Sequence, residues 1–177
     1  VRGIRRHPLV IPGAVLLLGG VLFAAADRHV TWIRGESMEP TISAGDVWWV
    51  SSGPPARGDI VSMTSPHGDT VVKRVIGVAG DRIGRDLADG GCALTLNGQR
   101  LAEPYLDGPG CRPVSWNCGR GSPNSMPDDT EGCAIPAGRI WVLGDNRPAS
   151  KDSRNYGPVS AGLVRGTLVR QLANWLP

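Results

Sequence analysis

The sequence predicts a mainly β protein: an antiparallel β-sheet domain behind one N-terminal apolar helix. Three observations carry that prediction. The 177 residues hold 25 Gly and 15 Pro, a turn-rich composition that suits small sheets better than a helical bundle. Short β-branched and aromatic runs recur between clusters of Gly, Pro, Asp and Ser. Beyond residue 27 no long amphipathic pattern of helical period appears. The length suits one domain plus an appendage, and no internal period suggests a repeat array.

The elements follow in order. Residues 1–7 form a basic N-terminus with Arg2, Arg5 and Arg6. Residues 8–26 (PLVIPGAVLLLGGVLFAAA) carry no charge. As a helix they reach roughly 28 Å, close to the thickness of a bilayer core, so they read as a single-pass transmembrane anchor. The arginines stay in the cytoplasm, which places residues 27–177 on the extracytoplasmic side of the cell membrane. A signal peptide cleaved after Ala24-Ala25-Ala26 and a buried core helix are the other two readings. The length of the run favours a retained anchor in the lipid bilayer.

Strands are expected over 30–33, 47–50, 59–64, 70–79, 139–143 and 163–172. Asn97-Gly98, between Leu94–Leu96 and Gln99–Leu101, predicts a hairpin with a type I′ turn. Residues 92–137 read as an inserted subdomain holding Cys92, Cys111, Cys118 and Cys133. None of their spacings is the C-x-x-C of a zinc site. In an oxidising compartment four cysteines imply two disulfides, with three connectivities open. Four unpaired thiols are the alternative.

The net charge of +3 is a property of the N-terminus. Beyond its three arginines the chain has 16 basic and 16 acidic residues. A balanced domain lacks the basic stripe of a nucleic-acid-binding protein.

Of the 19 basic residues only Lys73 and Lys151 are lysines. Arg is always charged, whereas a buried Lys can lose its proton. Strand alternation puts Val71, Lys73 and Val75 on one face. A Lys packed between two Val loses water, its pKa falls, and the neutral amine can serve as a general base. A Lys at a strand edge that snorkels to water fits the residues equally well. Lys151, among Pro148, Ser150, Asp152, Ser153 and Arg154, reads as a solvated loop residue. Ser37 follows the first strand in Gly35-Glu36-Ser37-Met38-Glu39-Pro40-Thr41. A turn there can expose a hydroxyl and free backbone N–H groups for an oxyanion, although the segment alone also reads as an ordinary loop. His7, His29 and His67 sit in no local triad pattern. No cluster of His and carboxylates suggests a metal, and no cofactor is expected. After the strand at 139–143, Gly144 to Arg154 is dense in polar groups. It suits a hydrogen-bonded active-site wall or a solvated loop.

Taken together, three segments resemble the type I signal peptidases, the membrane-anchored Ser/Lys peptidases. Ser37-Met38-x-Pro40-Thr41 is similar to the nucleophile motif. Lys73-Arg74, with Gly77 and Gly80-Asp81, is similar to the general-base strand. Gly144-Asp145-Asn146-Arg147-x-x-Ser150-x-Asp152-Ser153-Arg154 resembles the family's most distinctive box. Asn97-Gly98 and Glu103-Pro104-Tyr105-Leu106 also match, so the resemblance runs over about residues 10 to 172.

The resemblance implies a fold of the signal-peptidase type and a set of roles. Ser37 would attack the scissile carbonyl through an acyl-enzyme, and Lys73 would take its proton and pass it to the leaving amine. Ser150 would hydrogen-bond the Lys amine and orient it. Arg74 with Asp145, and Asp152 with Arg154, would be structural ion pairs. Ile33, Gly35, Met38, Ile42 and Val72 would bind substrate, with a shallow pocket for the small residues of an Ala-x-Ala site. Preproteins bearing signal peptides would bind as an extended strand near Ile33 to Glu36 and Thr70 to Val72. Some members carry a Ser where this chain has Gly35. Without that hydroxyl the oxyanion hole relies on backbone N–H groups, that of Ser37 among them. Two other functions remain: a Ser/Lys protease with one dedicated client, such as a conjugative pilin, and a non-catalytic, disulfide-stapled cell-surface binding module.

Overall fold

The computed structural model describes residues 30–88, 92–108, 110, 111, 118 and 132–174. The readings of 1–7 as a basic N-terminus and 8–26 as an anchor lie outside the described residues. Eleven strands among the described residues form two antiparallel sheets. The larger sheet contains β1 (Val30–Trp32), β2 (Asp46–Ser51), β3 (Ile60–Thr64), β4 (Thr70–Val78), β9 (Arg139–Leu143), β10 (Val159–Ser160) and β11 (Val164–Asn174). Its order is β1-β2-β11-β3-β4-β9-β10. The smaller sheet contains β5 (Arg82–Asp86), β6 (Ala93–Leu96), β7 (Gln99–Arg100) and β8 (Cys133–Ala134), in the order β7-β6-β5-β8.

Alternation along the strands sets the core. Val61, Met63, Val71 and Val75 pack with Ile140, Val142 and Val159. Ile60 and Val72, from the opposite positions of β3 and β4, pack with Ile33, Met38, Ile42, Val50 and Leu168. A third cluster joins the two sheets and combines Ile76, Trp141 and Leu143 with Ile83, Leu94, Cys111, Cys133 and Ile135. Gly77 makes that junction possible: a Cβ there would lie 2.7 Å from Ile135 Cδ1 and 3.0 Å from Ile83 Cδ1.

Four short elements go beyond the sequence reading. β8 and β10 are two residues each, too short to show a period. β5 reads RIGRD, and its charges mask the buried Ile83. Helix α1 (Ser153–Tyr156) is a single turn capped by Asp152. The smaller sheet starts at Arg82, ten residues before the Cys-bearing segment, because β6 and β8 both pair with β5. Disulfides join Cys92 to Cys111 and Cys118 to Cys133.

Candidate active site

Ser37 lies in the loop between β1 and β2. Ile33 N–H donates to Asp46 O at 2.8 Å and Gly45 N–H to Ile33 O at 2.8 Å, which closes the neck of the loop. Ile42 N–H donates to Met38 O at 3.0 Å and folds the tip, and the Glu39–Pro40 peptide is cis. Met38 and Ile42, each 1% exposed, dock the tip into the core. The hydrophobic residues after Ser37 thus hold the turn down, and the Ser37 hydroxyl faces β4.

Lys73 stands in β4 opposite Val61 of β3. It is 2% exposed, and its Nζ lies 2.6 Å from Ser37 Oγ and 2.9 Å from Val72 O. Burial lowers its pKa from 10.5 to about 8; Asp152 and Asp145 pull it back up, while Arg154 pushes it further down. About a tenth of such an amine is neutral at pH 7, against well under a thousandth for an ordinary Lys, and it lies within hydrogen-bond reach of a hydroxyl.

Two buried ion pairs frame this dyad. Arg74 Nε and Nη2 donate to Asp145 at 2.9 and 2.6 Å, and Thr41 Oγ1 donates to Asp145 Oδ2 at 2.6 Å. Asp145 thereby ties β4 to the Ser37 loop. Asp152 accepts both Arg154 Nε and Nη2 at 2.8 Å and Gly144 N–H at 3.1 Å. It also caps α1, so one carboxylate fixes the backbone on both sides of the Gly144 to Arg154 loop. Asn146 completes the frame, with its N–H on Ser37 O and its Nδ2 on Glu36 O, both at 3.1 Å.

Ser150 is placed differently from the expectation. Its Oγ is buried and makes no hydrogen bond among the described residues, so the expected bond to the Lys73 amine is not formed. The hydroxyl instead lies close to Gly144, where an added Cβ would come within 2.3 Å of Ser150 Oγ and of Ser37 O. Ile42 also departs from its expected place. A cavity of about 550 Å³ runs along β1 and Thr70–Val72 and is lined by Ile33, Gly35, Ser37, Met38 and Val72, but not by Ile42. Ile42 sits in the core beneath. A Cβ added at Gly35 would meet nothing within 4 Å, so the space beside Ser37 is open.

The groove has strand edges on both sides. Among the described residues β1 pairs only with β2, and β9 pairs with β4 only from Arg74 onward, which leaves the other edge of Thr70–Val72 without a described partner. Unpaired edges of this kind accept an extended peptide. Thr41, Asn146, Arg147, Glu103 and Tyr105 had no assigned role in the sequence. Their only signal there was membership of the quoted motifs, since their partners lie far along the chain.

Comparison with known proteins places the chain in a family. The family described as signal peptidase, peptidase S26, matches residues 5–172. Signal peptidase I of Bacillus caldolyticus is 36% identical over 142 residues, which cover 76% of this chain and 73% of that protein. Signal peptidase IB of Staphylococcus aureus is 33% identical over 158 residues, 82% of this chain and 79% of that protein. A crystal structure of a signal peptidase I from Enterococcus faecalis aligns with a TM-score of 0.48 at 35% identity, over 67% of this chain and 100% of that one. On the extent of the family match and the identity of these relatives, the chain belongs to the signal peptidase family.

Proposed function

We propose that this protein is a signal peptidase I that removes N-terminal signal peptides from exported preproteins, with Ser37 as nucleophile and Lys73 as general base. The observation that carries the reading is a buried amine with a pKa near 8, 2.6 Å from a serine hydroxyl. Neutral Lys73 accepts the Ser37 proton as Oγ attacks the scissile carbonyl. The Ser37 N–H, which makes no hydrogen bond among the described residues, is placed to stabilise the oxyanion. Collapse leaves an acyl-enzyme, and the Lys73 ammonium protonates the departing amine. Water then attacks the ester, with Lys73 again as base.

The substrate lies as an added strand between β1 and Thr70–Val72, and the side chain before the scissile bond sits on Ile33, Met38 and Val72. That floor favours small residues. Residues 8–26 anchor the chain in the cell membrane with the catalytic domain on the extracytoplasmic side. Large exposed apolar side chains on adjoining strands, Trp32, Trp49, Val169 and Leu172, support a domain that works close to a bilayer.

Cleavage of a preprotein with an Ala-x-Ala site tests the reading. Ser37→Ala and Lys73→Arg should each lower kcat by at least roughly 10³-fold. Retained activity in Lys73→Arg rejects the base assignment, because Arg supplies no neutral amine.

A further inference from the structure

The segment from Glu103 to Cys111 belongs to the Cys-bearing part of the chain, yet it touches the catalytic loop directly. Glu103 is an ion-pair partner of Arg147 Nη2, with the two side chains 6% and 3% exposed, and it accepts Arg147 Nη1 at 3.2 Å. Arg147 also donates to Gly144 O at 3.1 Å and to Gly110 O. Tyr105 OH donates to Glu103 Oε1 at 2.8 Å, and the Arg74 guanidinium stacks 3.9 Å above the Tyr105 ring. Burial and the Glu103 carboxylate push the Tyr105 phenol pKa up, so its O–H remains a donor. Arg74 returns to Asp145, and Arg147 N–H donates to Asp145 O at 2.8 Å. Two carboxylates, two guanidiniums and one phenol therefore form a closed, charge-neutral ring.

Asn146, spanned by the Arg147 N–H to Asp145 O bond of the ring, grips the carbonyls of Glu36 and Ser37. The Cys92–Cys111 disulfide ties the far end of the segment, next to Gly110, into the buried core.

We propose that Glu103 is a positioning residue for the reaction at Ser37: through Arg147 and, by way of Tyr105, through Arg74, it holds the Asp145–Arg147 backbone and hence the nucleophile turn, and the Cys92–Cys111 bridge holds Glu103. The proposal rests on the Ser37–Lys73 reading for its catalytic consequence but not for its structural one. A loosened ring frees Asn146, the Ser37 backbone drifts, and attack geometry is lost in the transition state more than in substrate binding.

The test compares Glu103→Gln, Glu103→Asp, Tyr105→Phe and the paired Cys92→Ser/Cys111→Ser variant in the full chain, at a temperature where all are folded. The expected result for Glu103→Gln and the paired Cys variant is a kcat lower by about tenfold or more with KM within about twofold. Hydrogen exchange of the Asn146 amide should quicken about tenfold while that of Ile42, in the nucleophile loop itself, stays unchanged. Glu103→Asp should recover part of the loss and Tyr105→Phe should show a smaller one. Unchanged Asn146 exchange, or a kcat loss that only tracks the unfolded fraction, overturns the proposal. If Ser37→Ala still cleaves while Asn146 exchange quickens, the catalytic reading fails and the positioning of the turn stands.

Discussion

Lys73 carries opposite consequences for activity and for stability. With Lys73 as the proposed general base, activity needs the neutral amine, so below pH 8 kcat/KM should fall about tenfold per pH unit, with its midpoint near the Lys73 pKa of about 8. Stability suffers from the same burial. The folded pKa is about 8 against 10.5 for the free side chain, so the unfolded chain binds the proton more tightly. The penalty is therefore fully present below pH 8 and fades as the pH rises to 10.5. Lys73→Met should abolish cleavage but raise stability at pH 7 by an amount on the order of 3 kcal/mol at most. Urea melts at pH 7 and pH 10.5 check this: a gain that persists at the higher pH contradicts the linkage.

At the scale of elements, the Gly144 to Arg154 loop is built around one carboxylate. Asp152 is fully buried, caps α1, holds Arg154 and accepts the Gly144 N–H. Asp152→Asn keeps an acceptor for the cap but removes the charge. It leaves Arg154 unbalanced, which should cost about 3 kcal/mol or more in thermal or denaturant unfolding. Asp152 raises the Lys73 pKa and Arg154 lowers it. Losing the first and exposing the second act in the same direction, so the acid limb of the pH–rate profile should move to lower pH. A limb that moves to higher pH would contradict the placement of Asp152 beside the amine.

At the scale of the molecule, the described residues form two sheets that meet where Gly77 of β4 packs on Ile83 of β5 and Ile135. The site lies on the larger sheet, but its outer wall reaches across from Glu103 and Tyr105 beyond the smaller one. Rigid attachment of the two sheets is thus part of the site. Gly77→Val should cost about 1–3 kcal/mol through overpacking and lower kcat as well, which differential scanning calorimetry and peptide cleavage measure separately. Full stability in Gly77→Val would mean that the sheets do not depend on this contact. The disulfides staple the Cys-bearing segment itself, closing loops of 19 and 15 residues. Each such closure contributes roughly 3 kcal/mol in the chain-entropy account.

Much of this protein was legible in its residues. The longer strands stood out because β-branched runs of five or more residues impose a two-residue alternation, and Asn97-Gly98 specified its turn through positive φ at both positions. Ser37 and Lys73 were legible as candidates through the resemblance of their motifs; by itself Lys73 between Val71 and Val75 fitted a general base and a snorkelling edge residue equally, and Ser37 read as an ordinary loop residue. The two-residue strands β8 and β10 and the one-turn helix α1 were not legible, since elements so short carry no period. Ser150 shows the limit most clearly. Its identity in the motif implied a bond to Lys73, whereas rotamer and packing against Gly144 decide where a hydroxyl points. The chemical inventory, the strand pattern and the charge asymmetry were determined by the sequence alone, because they depend on residue type and near neighbours. The disulfide pairing, the Arg147–Glu103 partnership across 44 positions and the 2.6 Å contact of Ser37 with Lys73 were decided only by tertiary structure, because each depends on which distant backbones the packed core brings together.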